Sequence, residues 1–325
     1  MRHLRLVPDK TNINFFAAAR VTFGASVVMM ILSLVFIAMF GLNFGIDFRG
    51  GTTIRTESAA PVDIAGKRAA LAALNLGDVS ITEVFDPTFG PEQNVAMIRI
   101  QAQDGEEAVT PAIIASIEGV LKANDPGIAF TSVESVGPKV SGELIWSAVL
   151  SVVGAATAIL IYIWLRFEWQ FAVGAVAALV HDVLITVGIF ALFQIRFDLA
   201  IIAALLTILG YSINDTVVVF DRLRENLIKF KAMPLMEVMN LSVNETLSRT
   251  LMTTGTTLIA LIALLVLGGD VIRGFVFAIT FGIVIGTYSS VYMAKNVVLW
   301  LGVKRDWSKS DDAGPKGTQF GDAGA

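Results

Sequence analysis

From Val21 to Ile46 the chain carries no charged residue. No other feature constrains the fold as strongly. At 1.5 Å per residue, Val21–Phe40 alone crosses a hydrocarbon layer of about 30 Å. Only a helix lets one such segment satisfy its own backbone polar groups there. Five more apolar runs follow, near Leu144–Leu165, Phe171–Phe193, Leu199–Phe220, Leu251–Leu267 and Phe275–Leu301. Composition agrees: of 325 residues, 55% are hydrophobic and 16% charged, outside the usual soluble range. The chain reads as a membrane all-α six-helix bundle with one large insert after the first span. A signal peptide also begins basic and then apolar, but its apolar core is shorter and a small-x-small site follows. Here Gly41-Leu42-Asn43-Phe44 follows, so the first run reads as a retained anchor.

Basic residues set the orientation. Arg2, Arg5, Lys10 and Arg20 precede span one, and Arg166 lies between spans two and three. Arg222, Arg224, Lys229 and Lys231 follow span four, and Lys304, Arg305 and Lys309 follow span six. The opposite short loops hold only Arg196 and Arg273. Both termini are therefore expected in the cytoplasm and the insert on the far side, the periplasm of a bacterium. Trp146, Trp164, Trp169 and Trp300 fall at span ends, as an interfacial aromatic belt requires. The expected organisation is 1–20 cytoplasmic, 21–41 span one, 42–142 the insert, 143–301 spans two to six, and 302–325 a disordered tail. Residues 221–248, basic and then Met-rich and apolar, read as an amphipathic cytoplasmic helix lying on the membrane.

Between Gly45 and Glu143 there are fourteen Asp/Glu and seven Lys/Arg, the balance of a soluble domain. Gly51–Glu57, Val79–Asp86, Asn94–Gln103 and Ile128–Val136 read as strands. Pro61–Asn75 and Glu106–Ala123 read as helices, the second capped by Thr110 or Asp104. The order β-α-β-β-α-β indicates an α+β ferredoxin-like insert. Gly50-Gly51 permits a sharp turn or a close backbone approach at its entrance. The insert holds no nucleophile–base set, and a binding or lever role suits it better than catalysis. There is no cysteine and there are only two histidines, which excludes disulfides and multi-histidine metal centres.

Three polar features interrupt the spans. Asp215, beside Asn214, lies six residues before the exit Asp221-Arg222. It either reaches the interface as a structural carboxylate or serves as an ion or proton site, and intramembrane carboxylates are mostly functional. Arg249 heads span five, where an arginine can snorkel. The hairpin of spans four and five also brings it within plausible reach of Asp215. His181-Asp182 sits in the middle of span three. Neighbours on a helix point about 100° apart, so these two are expected to meet other helices or water rather than each other, with Ser212, Asn214 and Thr253 as candidate partners. An interhelical hydrogen bond and a proton relay both remain open for them. Thr253–Thr257 forms a small hydroxylated seam suited to close packing or a wet path.

GIDFRGGT (Gly45–Thr52), VGPKVSGEL (Val136–Leu144), the intramembrane His-Asp, GYSINDTVVVFDRLREN (Gly210–Asn226) and NETLSRT (Asn244–Thr250) together resemble the SecF family, the smaller membrane subunits of the bacterial SecDF export auxiliary. The resemblance runs from the first span to the sixth. It implies half of an RND-type transporter fold in the bacterial inner membrane, completed to twelve spans by SecD. It also implies use of the proton-motive force to draw preproteins from the SecYEG channel, with YajC as a further neighbour. On the matching motifs, Asp215 and Arg249 would be the transport charges. The residues themselves, rather than the resemblance, offer Asn214, His181 and Asp182 as candidate proton-coupling neighbours, and Gly45, Asp47, Arg49, Gly50 and Gly51 as a candidate hinge. The resemblance implies no enzyme activity, no cofactor, no metal and no nucleic acid. Half of a small-molecule or lipid exporter of the same superfamily is the alternative, weakened by the single small insert. An intramembrane enzyme would need a nucleophile or metal set that His181 and Asp182 do not supply, and a passive scaffold would be indifferent to its polar core.

Overall fold

The computed structural model describes residues 11–77, 79–90, 93–101 and 109–303. Arg2, Arg5, Lys10, Asp104 and the tail from 304 onward lie outside the described residues. The first span is α1 (Ala19–Phe40). After it come β1 (Asn43–Phe44) and the single turn α2 (Ile46–Arg49). Gly50 and Gly51, at φ +77° and +133°, then turn the chain sharply into the insert. Only glycine adopts such angles without strain.

The insert runs β2 (Gly51–Ser58), α3 (Ile64–Ala72), β3 (Val79–Val84), β4 (Asn94–Gln101), α4 (Pro111–Asn124) and β5 (Ala129–Val136). The strands pair antiparallel in the order β3-β4-β2-β5, which is the ferredoxin-like arrangement. Ile54, Leu71, Ile98, Ile100, Ile117 and Leu121 are fully buried between sheet and helices. Each contributes about 1.5–3 kcal/mol by leaving water. The first helix starts later than its pattern suggested, because the Asp63 carboxylate accepts the Gly66 N–H at 2.9 Å and fixes the start there. Thr110 caps α4, with Pro111 in the first turn.

Five spans follow: α5 (Pro138–Arg166), α6 (Trp169–Phe193), α7 (Leu199–Lys229), α8 (Leu235–Leu267), and a last one built from α9 (Asp270–Ser289), a π-helical turn (Ser290–Ala294) and α10 (Lys295–Leu301). With α1, six helices among the described residues are long and apolar enough to cross a membrane. The helices α6 and α7 are central: 50% and 44% of their most apolar stretch is buried, against 6% for α5 and 11% for α1 and α8. Close approach at the centre uses missing side chains. A Cβ on Gly188 of α6 would overlap Ser33 of α1, and one on Gly282 of α9 would overlap Ile208 of α7.

The hairpin of spans four and five differs from expectation. Residues 221–248 form no separate surface helix. Instead α7 continues to Lys229, and α8 starts at Leu235 after a short turn. The amphipathic stripe is real, but its partner is the other helix rather than lipid. Leu223, Leu227, Val238 and Met239 are buried in one apolar cluster. Arg222 Nε donates to Glu245 at 2.7 Å, and Asn226 Nδ2 donates to Glu245 at 2.6 Å and to Ser242 at 3.0 Å. Periodicity defines a face but not what covers it.

The insert is pinned to the bundle twice. A parallel pair joins β1 to β6 (Arg196–Phe197), Asn43 opposite Arg196. The Phe85 N–H donates to Asp270 Oδ2 at 2.8 Å, while the Asp270 N–H donates to the Phe85 carbonyl at 2.9 Å. Widening the close contact of α1 with α6 should tell whether the bundle depends on it. Gly188→Val should destabilise the purified protein by about 1–3 kcal/mol, the usual effect of overpacking, read from chemical unfolding in detergent. An unchanged midpoint would mean that α1 does not pack tightly on α6.

Candidate functional site

Two large apolar clusters fill most of the bundle, beside a smaller one around Phe15, Val219, Val243 and Val291. One lies toward the insert, around Phe190, Phe197, Ile201, Ile208, Ala278 and Ile283. The other lies toward the α7–α8 turn, around Phe171, Phe220, Leu223, Met293 and Val298. Three of the helices shared by both clusters are polar between them: His181, Asp182 and Thr186 on α6, Ser212, Asp215 and Thr216 on α7, and Ser289 and Ser290 on the last span, all buried.

Asp182 is the centre of this layer and is wholly buried. Its Oδ1 lies 2.9 Å from His181 Nδ1. Its Oδ2 accepts the hydroxyls of Ser212 at 2.6 Å and Ser289 at 2.8 Å. The expectation that His181 and Asp182 would not pair is therefore corrected. Their Cβ atoms do diverge, but Nδ1 sits next to the imidazole stem and swings toward the carboxyl. In an apolar interior that is better than leaving either group unpaired. Ser212 is a partner as expected, whereas Asn214 and Thr253 are not. Ser289 was missed, although the pair Ser289-Ser290 breaks the apolar run of span six and could have flagged it. Ser290 bonds Thr216 at 2.9 Å, and the π turn begins there, a feature common at functional positions. Tyr288 stacks on His181, donates to the Thr22 carbonyl at 2.8 Å and accepts from Ser26 at 3.1 Å, tying α1 to the layer. His181 Nε2 is buried with no partner among the described residues. A carboxyl–imidazole pair of this kind can share or pass one proton.

Asp215 lies one turn further along α7 and is 4% exposed. Its Oδ2 is buried with no hydrogen-bond partner among the described residues. Arg249 is the cation that acts on it, and Thr250 lies against the carboxyl, both from α8. The two charges form no ion pair. Arg249 is exposed and lines an open cleft of about 410 Å³ with Arg166, Asp221, Arg222 and Glu225. Its long stem carries the guanidinium toward the wet end of the hairpin. Asn214 faces outward. The threonine seam is structural where it is buried: Thr254 bonds Thr287 at 3.1 Å, and the Tyr211 hydroxyl donates to Thr257 at 3.4 Å.

The glycine corner sits at the other end of α7. The Gly45 N–H donates to the Phe197 carbonyl at 2.8 Å. The Asp47 carboxylate accepts the Leu199 N–H at 3.0 Å and so caps α7 from another part of the chain. Asp198, also beside this helix start, has its carboxyl pushed up by burial, opposed by Arg196. No group of His, Asp and Glu suited to a metal ion occurs among the described residues.

The family model described as protein export membrane protein SecD/SecF, C-terminal, matches residues 116–304, and that of the SecD/SecF GG motif matches 35–62. The chain belongs to the SecD/SecF family. The protein translocase subunit SecF of Cereibacter sphaeroides is 70% identical over 317 residues, covering 98% of this chain and 97% of that one. The SecF subunit of Rhodobacter capsulatus is 62% identical, covering 95% and 94%. That of Rickettsia rickettsii is 39% identical, covering 94% and 97%. Among solved structures, SecDF of Thermus thermophilus, a translocon-associated membrane protein, superposes with a TM-score of 0.79 at 34% identity, over 91% of this chain and 39% of that chain. The chain thus spans about two-fifths of that SecDF. The SecD/SecF glycine motif holds the corner at Gly45–Gly51, and the C-terminal match spans the whole polar layer.

The layer makes a graded prediction. Ser289→Ala removes a hydroxyl donor from a buried carboxyl and should destabilise the purified chain by about 1–3 kcal/mol. Asn214→Ala, on the outer face, should stay within about 0.5 kcal/mol. Equal effects in unfolding titrations would contradict the hydrogen-bond hub.

Proposed function

We propose that this chain is the SecF half of a SecDF export motor in a bacterial inner membrane. Both termini are cytoplasmic and the insert is periplasmic. SecD supplies the second six-span half, and SecYEG and YajC are the neighbours. The proton-motive force is spent on drawing preproteins out on the periplasmic side. The basic-residue bias supports the orientation. The observation that carries the reading is Asp215: a buried carboxyl with an unanswered oxygen, faced by an arginine that stands at the edge of an open cleft.

In this reading a proton reaches the Asp215 carboxylate and neutralises it. The pull on Arg249 then ends, and the guanidinium turns to the acidic groups of the cleft, Asp221 and Glu225. When the proton leaves, the carboxylate draws Arg249 back. One charge crossing 100 mV releases about 2.3 kcal/mol, enough in kind to bias a two-state bundle. His181 and Asp182 are the buried relay neighbours, and Asn214 sits on the face that SecD would cover. The stroke has a rigid carrier. Asp215 and the Asp47-capped helix start belong to the same α7, so a shift of α7 would move the glycine corner and the insert with it.

Asp215→Asn and Arg249→Met are the decisive variants, tested in inverted vesicles with SecD co-expressed. Each should assemble with SecD yet lose most of the proton-motive-force stimulation of export, tenfold or more if the charge pair is the coupling element. Normal stimulation by both assembled variants would rule out the proton switch.

A further inference from the structure

Three arginines meet where the insert rests on the bundle. Arg49 comes from the glycine corner, Arg99 from β4 and Arg196 from β6, 97 residues further along the chain than Arg99. Together with Phe44, Ile46 and Ile100 they line a cavity of about 150 Å³. The residues lining it include no carboxylate. Nε of both Arg99 and Arg196 is buried without a hydrogen-bond partner among the described residues. What these side chains do touch is weak or distant. Arg99 Nη2 lies 2.8 Å from the Met97 sulfur, and Arg196 Nη1 lies 4.0 Å from it. Asp198 stands 3.8 Å from Arg196 Nε, and Asp47 is engaged with the Leu199 N–H. Burial, and then the neighbouring Arg196, pull the Arg99 guanidinium down to about 10, opposed by Asp198. It stays charged at neutral pH, and among the described residues the Asp198 carboxylate alone is set against its desolvation.

Guanidinium forks converging on a small cavity suit a tetrahedral oxyanion, which accepts paired N–H bonds from each fork. The level of the cavity points to the source. Its lining comes from β1, the glycine corner, β3, β4 and β6, and β1 and β6 directly follow the ends of α1 and α6 in the chain. Met39, Phe40 and Phe193, exposed by 70%, 52% and 65%, stand at the same level. A phosphate with acyl chains attached would meet both environments, and basic pockets among span ends do take anionic headgroups. We propose that the cavity between Arg49, Arg99 and Arg196 binds the phosphate of an anionic phospholipid from the leaflet on the insert side, cementing the insert to the bundle. Free phosphate shares the chemistry but gains nothing from the apolar rim.

The test uses the purified full chain in micelles doped with phosphatidylglycerol, with phosphatidylcholine, or left undoped with inorganic phosphate. Binding is read by native mass spectrometry and by thermal unfolding. Phosphatidylglycerol should bind and raise the unfolding temperature where phosphatidylcholine does not. Arg99→Gln and Arg196→Gln should each weaken that binding about tenfold or more, as loss of a charge-assisted hydrogen bond implies. Arg49→Gln, exposed at the mouth and safe for folding, should weaken it several-fold. The proposal is overturned if phosphatidylglycerol binds Arg49→Gln and the folded Arg99 variants as tightly as the unaltered chain. It is equally overturned if inorganic phosphate alone reproduces the shift while phosphatidylglycerol gives none.

Discussion

A carboxylate placed among helices that face lipid must be answered by hydrogen bonds from the protein, because no solvent is there to do it. Asp182 is answered by His181 on its own helix, by Ser212 on α7 and by Ser289 on the last span. These bonds fix the rotation of three helices about one point. The apolar clusters on either side can then pack in only one register. Tyr288 brings α1 into the same arrangement through Thr22 and Ser26.

The helix α7 links the ends of the molecule. Toward the insert its first N–H groups are capped by Asp47 and its entry strand is paired with β1. In the middle it contributes Ser212, Asp215 and Thr216 to the polar layer. At the far end it is locked to α8 by Arg222, Asn226 and Glu245. A helix held at three levels moves as a unit or not at all, and a lever needs that property. Membership of the SecD/SecF family fits this build. The shallow burial of α1, α5 and α8 leaves wide apolar faces that a second half would cover.

Much of the architecture was legible because it depends on local pattern. Uncharged runs gave the spans, and alternating or helical spacing in the insert gave its six elements in order. Thr110 was recognisable as a cap because capping involves residues three apart. Legibility ended where partners are remote. The extension of α7 and α8 beyond the membrane could not be told from a surface helix, since both show the same amphipathic stripe. Ser289 looked like an ordinary serine until α9 placed it against Asp182, 107 residues away. Arg99 and Arg196 carried no shared signal.

By itself, the sequence determined six apolar runs of membrane-spanning length and one ferredoxin-like insert, and it set an aspartate inside one span and an arginine at the head of the next. Those conclusions follow from solvation, since residues that cannot face lipid or water declare themselves one by one. Only the tertiary structure decided who answers whom. It closed the His181–Asp182 pair that helix geometry argued against, and it left Asp215 and Arg249 apart where proximity suggested a pair. It also gathered three arginines from three elements into one cavity. Such choices depend on the rotation and spacing of helices around a common polar point, which packing settles and no local pattern encodes.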